Sequence, residues 1–219
     1  MRNNDFLYNL QSGFRRSHST ETALIRLIDQ LLSDMDKDHV SGLVFVDYKK
    51  AFDLIDHGIL LSKLEAHGVA SKELLLLENY LNDRRQSVVM DGVQSEQGVI
   101  THCVSPGIGP GTAIVYYFCK RSSSAVFRST VDIYADDTTL SASAAVSDLP
   151  AVQQRLQEDI NRIADWTSEN RMVLNKTKTL LVTGKRLEKK IPDKALEIAC
   201  NGSEIGQVSG KSLHRSYLG

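Results

Sequence analysis

Residues 43–53 read Leu43-Val44-Phe45-Val46-Asp47-Tyr48-Lys49-Lys50-Ala51-Phe52-Asp53. With Gly42, the first four make a short, continuous apolar run containing two valines. Such a run reads as a strand buried on both faces, and it stops at a carboxylate, Asp47. A second stretch alternates Val131, Ile133 and Ala135 with Asp132, Tyr134 and Asp136, and Thr138 to Leu140 follow. It reads as a strand, a tight turn and a strand, with Asp136-Asp137 at the tip. If the two elements are neighbours in one sheet, three carboxylates converge at one end of it. Carboxylates gathered in a partly buried site repel unless a cation neutralises them. Hard oxygen donors suit Mg²⁺ or Mn²⁺. Two such ions can activate a 3′-hydroxyl and stabilise a departing pyrophosphate. Plainer readings stay open at this level. Asp-Asp is ordinary turn chemistry, and Asp after a strand is ordinary at the start of a loop. A phospho-acceptor domain also presents one aspartate at the end of a buried strand. That reading wants a further acidic pair near the N-terminus, where there is only Asp5, and is disfavoured.

Outward from these stretches, the chain alternates between helical and extended patterns. Ser19 can cap a helix whose apolar positions are Ala23, Leu24, Leu27, Ile28, Leu31, Leu32 and Met35, with Glu21 in its first turn. A helical stretch from Ile59 to Ala66 is stopped by His67-Gly68, and Ser71 can cap another through Tyr80 and Leu81. Gln86 to Met90, Asp91-Gly92 and Val93 onward read as a hairpin, because Asp-Gly supplies the positive φ angles of a type I′ turn. Leu149 to Thr167 is an amphipathic helix with the stripe Val152, Leu156, Ile160, Ile163 and Trp166. A strand over 179–183 follows, then the basic cluster Lys185, Arg186, Lys189 and Lys190, which reads most plainly as a solvated face. Weak strand signals run on to Gly219.

Composition bounds the function. The 219 residues carry 26 Lys+Arg against 27 Asp+Glu, 42% hydrophobic and 24% charged residues. This is a globular balance, and a net charge of −1 excludes a simple polybasic nucleic-acid coat while permitting local basic patches. Three cysteines, Cys103, Cys119 and Cys200, have no metal-binding spacing and no even count for a disulfide framework. No apolar run approaches the roughly 18 residues of a membrane helix. The polar N-terminus does not read as a signal peptide. An intracellular chain, in cytoplasm or nucleus, is expected, with no membrane partner and no oligomer.

The motifs themselves carry a resemblance. The 43–53 string resembles motif A of non-LTR retrotransposon reverse transcriptases, of the jockey-like or a related LINE clade. Tyr134-Ala135-Asp136-Asp137-Thr138 resembles their motif C. Gln11-Ser12-Gly13-Phe14-Arg15 with Ser19-Thr20 resembles the segment before motif A, and Asp56-His57, Leu60-Leu61 and Lys63-Leu64 the segment after it. Tyr80-Leu81, Arg84, Gln86 and Val88 continue the order, as do Trp166, Asn170, Leu174-Asn175, Lys178-Thr179 and the closing Leu218-Gly219. The resemblance implies an α+β palm: an antiparallel sheet carrying the three aspartates, backed by helices. It implies that Asp47, Asp136 and Asp137 are the catalytic, metal-binding carboxylates, with the Tyr48 carbonyl as a further ligand and two Mg²⁺ (or Mn²⁺) ions. Phe52 matches the residue under the incoming sugar, where a ring excludes a 2′-hydroxyl by volume; a core Phe is its plainer role. Asp53 is expected to make a local cap. Lys178 lies where a lysine could protonate pyrophosphate, and Arg15 could touch nucleotide phosphates or template. Arg84, Arg85, Lys185 and Arg186 are candidate contacts to the nucleic-acid backbone. The implied partners are an RNA template, a DNA primer and deoxynucleoside triphosphates. Residues 1–40 are read as a remnant of the fingers and the first palm helix, and residues 41–219 as the palm core, without thumb or endonuclease.

One segment departs from the family. Between the hairpin and motif C the family has GVPQGSxLGPLLF…NDLP, a Gly-rich turn and a helix. Here residues 106–123 read PGIGPGTAIVYYFCKRSS. Reading their codons one base downstream fixes the outer bases of each new codon. Pro-Gly becomes CNG, which includes Gln; Gly-Ile becomes GNA, which includes Gly; Ile-Gly includes Ser. Continued over all eighteen codons, the frame can spell QGSVLGPLLFIIFVNDLP. The segment is therefore expected to be translated out of frame between two compensating shifts, and genuine divergence of a loop is the alternative. Losing a packed helix removes large side chains worth about 2–5 kcal/mol each in a core, against a margin of about 5–15 kcal/mol. A weakly active or inactive polymerase is expected, with a non-catalytic nucleic-acid-binding remnant or an unexpressed pseudogene product as the alternatives.

Overall fold

The computed structural model describes residues 12, 18–66, 68–100, 102, 127–134, 137–175, 177–191 and 196–208. The segment 106–123 and the site candidates Arg15 and Asp136 lie outside the described residues. The chain forms two compact units, interleaved along the sequence: Met1–Lys49 with Lys120–Thr167 and Leu174–Gly219, and Lys50–Cys119 with Ser168–Val173.

The first unit begins with α1 (Thr20–Asp36). Its start obeys the sequence: the Thr22 N–H donates to Ser19 Oγ at 3.2 Å, and the Ser19 N–H to Thr22 Oγ1 at 2.8 Å. This reciprocal capping satisfies two donors that the first turn leaves over. The seven apolar positions expected as one stripe behave as two rows. Ala23, Leu27, Leu31 and Met35 are half-buried, whereas Leu24, Ile28 and Leu32, with Ile25, are exposed by 44–58%. Adjacent i, i+4 rows point about 100° apart, so one neighbour cannot cover both.

The sheet has the order β11-β8-β1-β7-β6, with β1 (His39–Val46) at its centre. β1 runs antiparallel to β7 (Asp137–Ala145) and to β8 (Lys178–Val182), and β7 antiparallel to β6 (Thr130–Tyr134). The antiparallel sheet implied by the motifs is therefore present. Its outer edge differs: β11 (Gln207–Val208) joins β8 in parallel. The connection over 183–206 includes a one-turn helix, Lys185–Glu188, and the ribbon β9–β10 (Ala199–Cys200, Ser203–Glu204). It exceeds the dozen or so residues that a parallel crossover needs. β7 outruns its expected end at Leu140 because the small residues 141–145 pair back along β1 as far as His39.

Alternation divides this sheet into two faces. Val40, Gly42, Val44 and Val46 share one face with Thr138, Leu140, Ala142, Val131 and Ile133 through the ladder registers, and all nine are buried. That face packs on α4 (Leu149–Glu169), whose expected stripe Val152, Leu156, Ile160, Ile163 and Trp166 is buried throughout. The approach is close enough that a Cβ on Gly42 would lie 2.8 Å from Leu156 Cδ1 and 3.1 Å from Val152 Cγ1. α4 also holds a charge that the pattern did not announce. Asp159 is fully buried. It accepts from the Arg128 N–H at 3.0 Å, the Ser129 N–H at 2.8 Å, the Ser129 hydroxyl and the Arg162 guanidinium. Its side chain thus ties the approach to β6 down onto the helix.

The second unit contains α2 (His57–Ala66), α3 (Ser71–Leu81) and two short ribbons. β2 (Arg85–Gln86) pairs with β5 (Gly98–Val99), and β3 (Val89–Met90) with β4 (Val93–Gln94). Asp91 and Gly92 have φ of 51° and 81°, the conformation expected of a type I′ turn. Ser71 does not cap α3: it is the first helical residue, and the cap position is Ala70, without a side-chain bond. Asp56 begins α2 by accepting from the Ile59 N–H at 3.0 Å, and it is paired with Arg171 at 2.8 Å. His102 Nε2 lies 3.7 Å from the same carboxylate. The helix-start bond first, then the Arg171 charge, holds the Asp56 pKa below the ordinary carboxylate range against partial burial.

Candidate active site

The β1–β7 ladder ends at the pair Val46↔Thr138. The next residue along each strand beyond that pair is a carboxylate, Asp47 after Val46 and Asp137 before Thr138, and Asp137 is itself paired with Tyr134 across the β6–β7 hairpin. The two carboxylates thus come from neighbouring strands at one end of the sheet, as expected if motifs A and C lie side by side. Asp47 follows Ser41, Leu43 and Phe45 in alternation, so it belongs to the face away from α4. Along that face exposure rises towards the carboxylates: Ser41 and Leu43 are buried, Phe45 and Asp47 half-buried, Asp137 exposed.

Asp132 shares this face, opposite Thr139. It forms an ion pair with Arg26 of α1. Burial nevertheless dominates and raises its pKa, with the Arg26 charge pulling the other way. Lys178 lies across from Phe45, exposed on β8. The Tyr48 side chain is buried, its ring edge-on to Trp166 with centroids 6.0 Å apart.

Beyond the β1–β8 ladder the pairing slips. Phe45 faces Lys178, but Tyr48 bridges to Leu174. Two residues intervene on the β1 side and three on the other, the count of a bulge. There the Asn175 N–H donates to the Asp47 carbonyl at 2.8 Å, and Asn175 Nδ2 donates to Asp47 Oδ2, also at 2.8 Å. The sequence names Asn175 only as part of a motif. Its partner, 128 residues away, becomes visible only once the register is known.

The remaining candidates fall elsewhere. Phe52 is half-buried in the turn over 49–54, in the second unit, and Asp53 is exposed there, its N–H donating to the Lys50 carbonyl at 2.9 Å. Lys50 itself has a φ of 50°. Arg84 and Arg85 also belong to the second unit. The Arg84 guanidinium lies 5.2 Å from the Tyr80 ring centroid, a cation–π distance, and Arg85 is exposed at the start of β2. Lys185 and Arg186 open the one-turn helix after β8.

The donor set suits a hard divalent cation. Two carboxylates flank the last pair of the β1–β7 ladder, one on each strand, and among the described residues Asp47 Oδ1 receives no hydrogen bond. Among the same residues no group of three or more His, Cys, Asp or Glu side chains converges; Asp136, the third carboxylate of the motif, lies outside them.

The chain is similar to known proteins in sequence and in fold. The chain is 28% identical over 182 residues to the RNA-directed DNA polymerase from mobile element jockey of Drosophila funebris, covering 79% of this chain and 19% of that protein. It is 29% identical over 183 residues to a probable RNA-directed DNA polymerase from transposon BS of Drosophila melanogaster, and 25% over 177 residues to that of the X-element, covering 78% and 77% of this chain. The chain spans about a fifth of the length of these relatives. In fold it is similar to apo telomerase from Candida tropicalis, with a TM-score of 0.54 at 12% identity over 79% of this chain and 36% of that one. The expected likeness to non-LTR retrotransposon enzymes thus holds. Residues 3–219 match the model of reverse transcriptase (RNA-dependent DNA polymerase), and the chain belongs to that family.

Proposed function

We propose that this chain is the palm of an RNA-directed DNA polymerase, built to add deoxynucleotides to a DNA primer on an RNA template. The observation that supports the reading is the β1–β7 ladder, whose last pair, Val46 and Thr138, is flanked by Asp47 on one strand and Asp137 on the other. Asp47 and Asp137, with Asp136 and the Tyr48 carbonyl, would hold two Mg²⁺ or Mn²⁺ ions. When bound, such ions stabilise charge on an attacking 3′-hydroxyl and on a departing pyrophosphate. Lys178, exposed on the same face, is available to give a proton to that pyrophosphate. Phe52 would exclude a 2′-hydroxyl by the volume of its ring. Arg15 would meet nucleotide phosphate or template. Arg84, Arg85, Lys185 and Arg186 would meet the sugar–phosphate backbone, with an affinity that falls as salt rises.

A second reading rests on residues 106–123, where Gly, Pro and Ser with Lys120 and Arg121 replace the apolar motif B of the family. In that reading the chain as written binds nucleic acid without extending a primer. Primer extension on poly(rA)/oligo(dT) with Mg²⁺ separates the two, comparing the chain as written with one in which 106–123 is replaced by QGSVLGPLLFIIFVNDLP. Extension is expected only in the restored chain, and Asp47→Asn should abolish it. Extension by the chain as written at the restored rate would remove the second reading. A restored chain that stays inactive and binds no RNA would remove both. The underlying DNA gives an independent check, since its shifted frame should spell a QGS…NDLP-like string.

A further inference from the structure

Asp47 ends its strand, and a carboxylate there is free to rotate unless something holds it. One residue holds it twice. The Asn175 N–H fixes the Asp47 carbonyl and the Asn175 amide fixes Oδ2, each at 2.8 Å. One antiparallel step from the Tyr48–Leu174 bridge sets Asn175 opposite Asp47, and the side chains of directly opposed residues share a face, so one residue reaches both atoms. The choice of an amide has a physical sense. Lysine or arginine would orient the carboxylate too, but would also neutralise it and occupy the place of a cation. A neutral donor orients Oδ2 and leaves the negative charge in place. Among the described residues Oδ1 receives no hydrogen bond.

We infer that Asn175 is a positioning residue for Asp47: it aligns the carboxylate for a divalent cation without discharging it. This rests on the metal-binding role proposed for Asp47. The probe is Mn²⁺ alone, titrated into the full 219-residue chain by electron paramagnetic resonance, with emission of the single tryptophan, Trp166, reporting that α4 is packed against Tyr48. Asp47→Asn should weaken Mn²⁺ binding at least tenfold. Asn175→Ala, which keeps the backbone N–H, should weaken it about 10–100-fold, the usual loss for a residue that orients a ligand. Asn175→Gln keeps an amide donor and should lose clearly less than Asn175→Ala. Should Asn175→Ala fail to fold, Asn175→Ser carries the same expectation. If Asp47→Asn weakens binding but a folded Asn175→Ala or Asn175→Ser does not, the positioning role is wrong while the metal reading stands. A folded Asn175→Gln as weak as Asn175→Ala would show that the amide is not the active element, and would also overturn it. If the parent binds no Mn²⁺, or Asp47→Asn changes nothing, the metal reading itself fails and the role of Asn175 falls with it.

Discussion

The two faces of the five-stranded sheet are built from the same strands and do opposite things. The face against α4 is closed: Val40, Val44, Val46, Leu140, Val131 and Ile133 are each no more than 3% exposed. The other face is built from the intervening residues and opens progressively towards Asp47 and Asp137. A strand alternating between a dry and a half-open side anchors itself with one set of residues and presents with the other the carboxylates proposed to bind metal. On that proposal stability and chemistry fall to different side chains one residue apart, and substitutions should separate them.

The largest effect is expected at Asp159. Asp159→Ala removes the acceptor of two backbone N–H groups and leaves Arg162 without its buried partner, a loss of about 3–5 kcal/mol that urea unfolding would measure. On the closed face, Leu156→Ala should cost about 2–5 kcal/mol by leaving a cavity under β1. Gly42→Ala works in the opposite sense, forcing a methyl group into side chains already in contact. Overpacking of this kind costs about 1–3 kcal/mol. On the open face, Asp47→Asn should change stability by no more than about 0.5 kcal/mol while removing Mn²⁺ binding. If it unfolds the chain, the division of labour between the faces is wrong.

Acid should sharpen the comparison further, because two carboxylates respond with opposite signs. The folded pKa of Asp56 lies below its ordinary value, so its contribution is present above the ordinary carboxylate range and lost as pH falls through the folded value. The folded pKa of Asp132 lies above its ordinary value, so the fold loses stability as pH rises from the ordinary range through the raised one. The stability profiles of Asp56→Asn and Asp132→Asn should therefore depart from the parent in opposite directions across the acid range.

Much of this was legible in the residues. The 43–46 run, the Ser19 cap, the Asp91-Gly92 turn and the α4 stripe each carry a local signal, and local physics decided them. The carboxylates Asp47 and Asp137 were legible because motif and strand end coincide. What was not legible depends on pairing across distance. Nothing in 141–145 looks like strand until β1 is placed beside it. The parallel edge at β11 follows from a crossover, not from its two residues. The second row of α1 shows that a helix can carry more apolar surface than its described neighbours cover, which periodicity alone reads as core. Asn175 required the slip between two ladders, and Asp159 required the approach to β6 to pass over α4.

That slip carries a consequence for how the gene can change. Removing one codon between those for Asn175 and Lys178 would bring the ladder into uniform register and leave Asn175 one step from the Tyr48–Leu174 bridge, opposite Asp47. Losing the codon for Asn175 itself would give an equally regular sheet and take the amide away. Two deletions of the same length, close together in the gene, would thus have unequal fates, and it is the place of the change rather than its size that selection sees.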